Sequence, residues 1–321
     1  MKNLFLFIAG RAAAALSSCT YDFQEPDIYS EDYAIVLSPT TSPSTKAPVS
    51  GTSFPDRNIV AAAYYYAPSG GTSGTFFSNL VFSKNGSVWT ADKYWPLGGQ
   101  LDLLAYSCPQ LNPTPSYTGA KVTDEVTVTV GDNSSVQEDI LYAYAAPTER
   151  VSNIGLVFKH AQALIGFKAK SDVAYNSTTN VGLTITGITL NGAKYSGTCL
   201  MKNDGTCTWS SLGSQTDLAV PGLSATNLTT TLSAQLGTGI LVPEQASTTA
   251  TITYTLHNGK QGGNALDNTG LLRTVTLTSP EGGWKAGKYY CYEISISQHE
   301  ISVSPVVTEW EQAEPQTVII P

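Results

Sequence analysis

The chain has 321 residues, enough for two domains of ordinary size, with 41% hydrophobic and only 13% charged residues. That charge content is about half the quarter usual for soluble domains, so solvent faces here are built from hydroxyls, as in all-β extracellular proteins. A net charge of -8 leaves no basic face to neutralise phosphates, which argues against a nucleic-acid partner.

The chain opens with Lys2, an apolar run Leu4-Phe5-Leu6-Phe7-Ile8-Ala9, and small residues ending Leu16-Ser17-Ser18-Cys19. A charged start, a short apolar core broken by Arg11 and a small-residue end form the pattern of an export signal, here residues 1–18. The run is too short to span a bilayer, and no later stretch is long enough. Leu-Ser-Ser-Cys resembles a bacterial lipobox, which makes Cys19 the lipidated residue and the outer membrane its anchor. Asp22, Glu25, Asp27, Glu31 and Asp32 follow, with no basic residue before Lys46. Acids in that place resemble the surface-export signal of Bacteroidetes lipoproteins; a solvated tether is the plain alternative. Tyr33, Ala34, Ile35, Val36, Leu37 and Ser38 are then rich in strand formers. Pro39, Pro43 and a Ser/Thr-rich stretch lead to Lys46, Ala47 and Pro48, so residues 19–46 are expected to be an acidic tether and a strand joined to the rest by a linker.

From Val49 short apolar alternations are broken by Gly, Pro, Asn and Ser. Strands are expected at 58–67 and 75–82, with Lys84-Asn85-Gly86 turning the chain into Val88-Trp89-Thr90. Apolar segments at 93–96 and 101–106, an alternation at 122–130 and a run at 139–143 complete the first half. Pro147-Thr148-Glu149-Arg150 marks a boundary, giving domains at 47–150 and 151–321. Residues 154–169 fit a helix or a long bent strand by periodicity, and Gly155 and Gly166 favour the strand. Further strands are expected at 182–190, 193–201, 205–210, 228–234, 239–242, 248–256, 272–278, 288–298 and 301–310. Short strands at regular spacing with turn residues between them indicate β-sandwiches.

Asn203-Asp204-Gly205 reads as a hairpin turn that sets Cys199 and Cys207 nearly opposite each other, so a cross-strand disulfide is available to an exported chain. Zinc is the weaker reading, because no second Cys or His pair has ligand spacing. Cys108 and Cys291 read as buried thiols. His160, His257 and His299 have no partner at metal or triad spacing, and neither a His-Glu-x-x-His run nor a Gly-x-Ser-x-Gly elbow occurs. No catalytic, cofactor or metal residue is therefore assigned. Tyr64, Tyr65, Tyr66, Trp89 and Trp95 would suit a sugar-stacking face, although single tryptophans such as Trp89, Trp209 and Trp310 more often fill sandwich cores.

In order along the chain, Leu16-Ser17-Ser18-Cys19, Thr45-Lys46-Ala47-Pro48-Val49-Ser50-Gly51-Thr52, and Lys93-Tyr94-Trp95-Pro96 with Leu103-Leu104-Ala105-Tyr106 are followed by three more stretches. These are Asp139-Ile140-Leu141-Tyr142-Ala143, Leu156-Val157-Phe158-Lys159-His160-Ala161 and Trp284-Lys285-Ala286-Gly287-Lys288-Tyr289-Tyr290. Together they resemble the fimbrillin family of Bacteroidales, the subunits of type V pili. The resemblance implies two tandem transthyretin-like β-sandwich domains, a lipoprotein precursor at the cell surface, and other pilus subunits as partners. In that family an Arg-preferring protease cuts after the first strand, and a neighbour's strand fills the vacated groove. The matching position here holds Lys46 followed by Ala47, and the nearest downstream arginine is Arg57.

The residues themselves support the same route. Removing Tyr33 to Ser38 from a sheet would expose backbone groups and an apolar groove, and such an edge recruits another strand. Thr317, Val318, Ile319 and Ile320 form an apolar strand, read either as the donor or as the last strand of its own domain. The alternative function is a surface lipoprotein that binds glycan or a host protein and never polymerises.

Overall fold

A computed structural model describes residues 33–44, 51–108, 115–130, 139–279, 282–297 and 301–309. The first half supplies β1 (Ala34–Ser44), β2 (Gly51–Ser53), β3 (Ile59–Tyr66), β4 (Gly74–Asn85), β5 (Val88–Tyr94), β6 (Gln100–Ser107), β7 (Ser116–Thr118), β8 (Glu125–Val130), β9 (Leu141–Thr148) and β10 (Ile154–His160). The second supplies β11 (Ala163–Ser171), β12 (Val181–Ala193), β13 (Gly197–Lys202), β14 (Cys207–Ser210), β15 (Thr216–Ala219), β16 (Thr226–Asn227) and β17 (Ile240–Val242). It continues with β18 (Thr249–Asn258), β19 (Lys260–Gln261), β20 (Asn264–Ala265), β21 (Thr269–Thr276), β22 (Lys288–Ile296) and β23 (Ile301–Glu309). The fold is all-β: the described residues contain no α-helix.

Eight strands of the first half run in the order β10-β9-β6-β3-β4-β5-β1-β2, and β1 also pairs with β10. That extra pairing closes seven strands into a circuit around one core. Ile59, Ala61 and Ala63 of β3, Leu101, Leu103 and Ala105 of β6, and Ile154, Leu156 and Phe158 of β10 all point into it. Strand β6 is buried along nearly its whole length because both its faces are covered. Its odd positions face this core, while Leu104 and Tyr106 meet Val126, Val128, Cys199 and Met201 of a second layer. That layer is the sheet β14-β13-β8-β7, in which a hairpin from the second half pairs with a strand from the first.

The second core lies between β17-β11-β22-β23 and β15-β12-β18-β21, with β16 beside β12. Phe167, Ile185, Leu190, Ile252, Trp284 and Tyr292 fill it. Gly166 in β11 leaves room for a neighbouring ring: a Cβ there would stand 2.5 Å from the Tyr289 hydroxyl, which donates to Gln235 Oε1 at 2.9 Å.

Two expectations need correction. Residues 154–169 are not one long strand but β10 and β11, which belong to different sheets. The chain turns at Ala161 and Gln162, where Ala161 N–H donates to Ile140 O at 2.8 Å and Gln162 Oε1 accepts from Ile140 N at 3.0 Å. The boundary expected at 150 thus precedes β10, which pairs with β9 and β1. Residues 228–234 are irregular rather than a strand. Their amides are shared between the two sheets: Leu228 N–H donates to Leu183 O at 2.9 Å, and Ser233 N–H to Ala169 O at 2.9 Å. A segment that bridges two sheets cannot complete a ladder with either.

Burial raises the hydroxyls of Tyr106, Tyr144 and Tyr289 above the ordinary range and pushes Tyr292 up to about 12. The folded state then holds these protons more tightly than the unfolded chain, whose tyrosines titrate near pH ~10. Their contribution to stability is full below that pH and is lost as pH rises through it toward the folded values. Far-ultraviolet circular dichroism should hold to about pH 10 and then decline as the tyrosinate absorbance of the buried tyrosines rises. Ionisation of all the tyrosines completed at the ordinary pH while the dichroism stays native would contradict this.

Candidate functional site

Strand β1 is the element whose position most needs explaining, because it closes the first circuit of strands. It lies antiparallel to β5, with Ala34 opposite Tyr94, Val36 opposite Thr90 and Leu37 opposite Trp89. Its other edge lies parallel to β10, from Leu37 opposite Ile154 to Thr41 opposite Phe158. The period-2 geometry of a strand sends alternate residues to opposite faces. Ile35, Leu37, Pro39 and Thr41 are buried, while Ala34, Val36 and Ser38 are half-buried and Thr40 is exposed. The floor beneath them is aromatic: Phe54 packs edge-on against Trp89 at 5.3 Å and against Phe158 at 4.6 Å. Trp89 Nε1 donates to Arg57 O at 2.7 Å, which satisfies its one donor inside the core.

The start of β1 is held twice. Trp95 N–H donates to Tyr33 O at 2.8 Å, and the Arg150 guanidinium sits 4.4 Å from the centre of the Tyr33 ring. Arg150→Ala should cost about 0.5–1 kcal/mol and speed hydrogen exchange at the first amides of β1, leaving its second half protected. Uniform acceleration along the whole strand would contradict a local clamp.

Sequence reasoning places Tyr33, Ala34, Ile35, Val36 and Leu37 in one strand, and the structure has Tyr33 at its threshold and the other four within it. The strand runs further than expected, through Pro39 and Pro43 to Ser44. Proline's fixed φ suits extended chain, and the burial of Pro39 and Thr41 in the first core carries the strand onward. Cys19, Lys46, Ala47, Thr317, Val318, Ile319 and Ile320 lie outside the described residues. Sequence reasoning expected a strand at 154–169 but did not pair it with β1, although the alternation of β10 was visible: Ile154, Leu156 and Phe158 are buried, Gly155 and Val157 exposed.

The other candidates resolve as follows. Trp89 and Trp95 are core residues, 3% and 1% exposed, and therefore unavailable to a sugar. Tyr64 and Tyr66 are half-buried, with Lys121 Nζ over both rings at 5.7 and 4.8 Å. Buried His160 places Nδ1 2.9 Å from Asp139 Oδ1. Among the described residues no three His, Cys, Asp or Glu side chains converge to hold a metal. Cys199 and Cys207 sit diagonally rather than directly opposite, since Cys199 faces Trp209 and Met201 faces Cys207. Their sulfurs are 2.8 Å apart.

A family model described as fimbrillin-like matches residues 45–310. The fold is shared with the crystal structure of a fimbrial protein from Bacteroides vulgatus, at 16% identity and a TM-score of 0.60, covering 86% of this chain and 99% of that one. It is shared as well with two proteins given proposed roles in cell adhesion. The one from Bacteroides ovatus has 13% identity and a TM-score of 0.53, covering 88% of this chain and 99% of that one. The one from Bacteroides uniformis has 18% identity and a TM-score of 0.50, covering 86% of this chain and 98% of that one. No curated protein is matched by sequence.

Proposed function

We infer the function from one premise: this chain belongs to the fimbrillin-like family, whose model covers most of its length. It is a fimbrial, adhesin-like structural protein of the cell surface that assembles with other subunits. We propose further that it is exported as a lipoprotein anchored through Cys19, cut between β1 and β2, and assembled by strand exchange. On this reading the two cores are two transthyretin-like sandwiches in tandem.

The observation that carries the proposal is the position of β1, inserted between β5 and β10 by backbone pairing on both edges. Each ladder hydrogen bond contributes about 0.5–1.5 kcal/mol net, and each buried Ile or Leu about 1.5–3 kcal/mol. The same sums hold for any strand of matching pattern, so a neighbour's strand can replace β1 without nucleotide energy. Pro39 has no amide to donate, which makes the resident strand a weaker occupant than a proline-free one. Lys46 follows Ser44, the last residue of β1, by two positions. A cut after it leaves β1 held by non-covalent contacts alone. The family match begins at residue 45, just past β1, as suits a mature subunit that has lost this segment.

The C-terminal Thr317, Val318, Ile319 and Ile320 are the proposed donor. After cutting at Lys46, a chain lacking residues 317–320 should stay a folded monomer while the complete chain forms fibres. Fibres from the truncated chain would overturn the donor assignment. A complete chain that stays monomeric after the cut would favour a lone surface binder of glycan or host protein.

A further inference from the structure

The second layer of the first half contains chemistry that strand exchange does not use. Cys199 of β13 and Cys207 of β14 point into the same apolar cluster, beside Val126, Val128, Met201 and Trp209. A disulfide bond is about 2.05 Å long, so sulfurs 2.8 Å apart stand less than an ångström from bonding distance. The hairpin that carries them ties the two halves of the chain together. Its strand β13 pairs along β8 of the first half. Trp209 Nε1 donates to Ala161 O at 2.6 Å, where the chain leaves β10 for β11. Tyr142 Oη and Lys159 Nζ donate to Gly205 O at 2.8 and 3.3 Å and hold its tip.

We propose that Cys199 and Cys207 are an oxidisable dithiol that closes to a disulfide outside the reducing cytoplasm and locks this hairpin over the crossover. The oxidant is a small or protein disulfide. The half-buried Cys207 thiolate attacks it, forming a mixed disulfide and releasing one thiol. Cys199 then attacks the Cys207 sulfur, losing its proton and expelling the second thiol. Two protein thiols thus give up two electrons and two protons, and one external disulfide becomes two thiols. Burial raises the Cys199 thiol well above its ordinary range, which makes it the second and slower partner. Cys108 packs against the same cluster and is the competitor that the test must separate.

The full chain is incubated with glutathione disulfide, its remaining thiols are alkylated, and it is digested with trypsin without reductant. Lys202 lies between the two cysteines, so only a disulfide keeps their peptides together, at a mass about 2 Da below the two thiol peptides. Reductant should lower the Tm of the oxidised protein by about 5 °C. Cys108→Ser should keep both the linked peptide and the shift; Cys207→Ser should lose both. Full alkylation of Cys199 and Cys207 after oxidation, or linkage of either to Cys108, would overturn the proposal. An equal reductant effect on Cys207→Ser would overturn it as well.

Discussion

Replacing Leu37 by aspartate should destabilise the first core by about 4 kcal/mol or more, the sum of lost apolar burial and an unpaired charge in the core. Leu37 is fully buried and sits where β1 touches both neighbours, opposite Trp89 on one side and Ile154 on the other. The residues packed around it form an apolar cluster, so a carboxylate there has to take up a proton or to leave. The cheaper escape is for the strand to leave as a unit, because the remaining strands keep their own ladders. The variant should therefore expose the β5 and β10 edges without any cut and associate with other copies. Val36→Asp changes the neighbouring residue on the outward, half-buried face and should cost about 1 kcal/mol at most. Urea unfolding measures both. Equal losses for the two variants would mean that β1 is not seated by its inward face.

Asp102→Ala is expected to cost about 3–5 kcal/mol, the range for breaking a buried charged network by removing one member. Asp102 is 1% exposed within β6, directly opposite Tyr64 of β3. Its Oδ1 accepts from Thr123 Oγ1 at 2.8 Å and from Tyr64 N at 3.3 Å. Its Oδ2 accepts from Tyr66 Oη at 2.7 Å and Tyr144 Oη at 3.1 Å. Lys121 Nζ donates to the same Tyr66 hydroxyl at 2.9 Å, which brings a cation to the edge of the cluster. Alanine removes the acceptor that four donors share, and buried donors without partners are costly. Asparagine keeps one acceptor oxygen and should lose less than half as much. A loss under about 1 kcal/mol for alanine would mean that water replaces the carboxylate without penalty.

These two sites differ in how far the sequence reveals them. Ile35 and Leu37 stand out in an apolar run bounded by acids and prolines, and the inward face of β10 follows from its period of two. The hydroxyl-rich, low-charge composition and the Asn-Gly and Asp-Gly turns lead to an all-β fold, as observed. Asp102 is different: in Leu101-Asp102-Leu103-Leu104 a lone acid looks like a surface residue. Its burial depends on a second layer arriving from residues 116–130 and 197–210, which no local pattern announces. The break at Ala161 and Gln162 is hidden for the same reason, since its hydrogen-bond partners, Ile140 and Trp209, are far along the chain. Leu228 misleads in the opposite way. It is apolar and buried, but it seals the gap between two sheets instead of extending one.

The most direct measurement is a single engineered protease site within residues 45–50, cut in the purified chain and followed by size exclusion and electron microscopy. If β1 is a replaceable occupant of the first circuit of strands, the released segment separates from the body as fibres grow, and a synthetic peptide spanning β1 added in excess blocks them. If the cut segment stays bound to a body that remains monomeric on concentration, β1 is a permanent member of its sheet and assembly through its slot is ruled out.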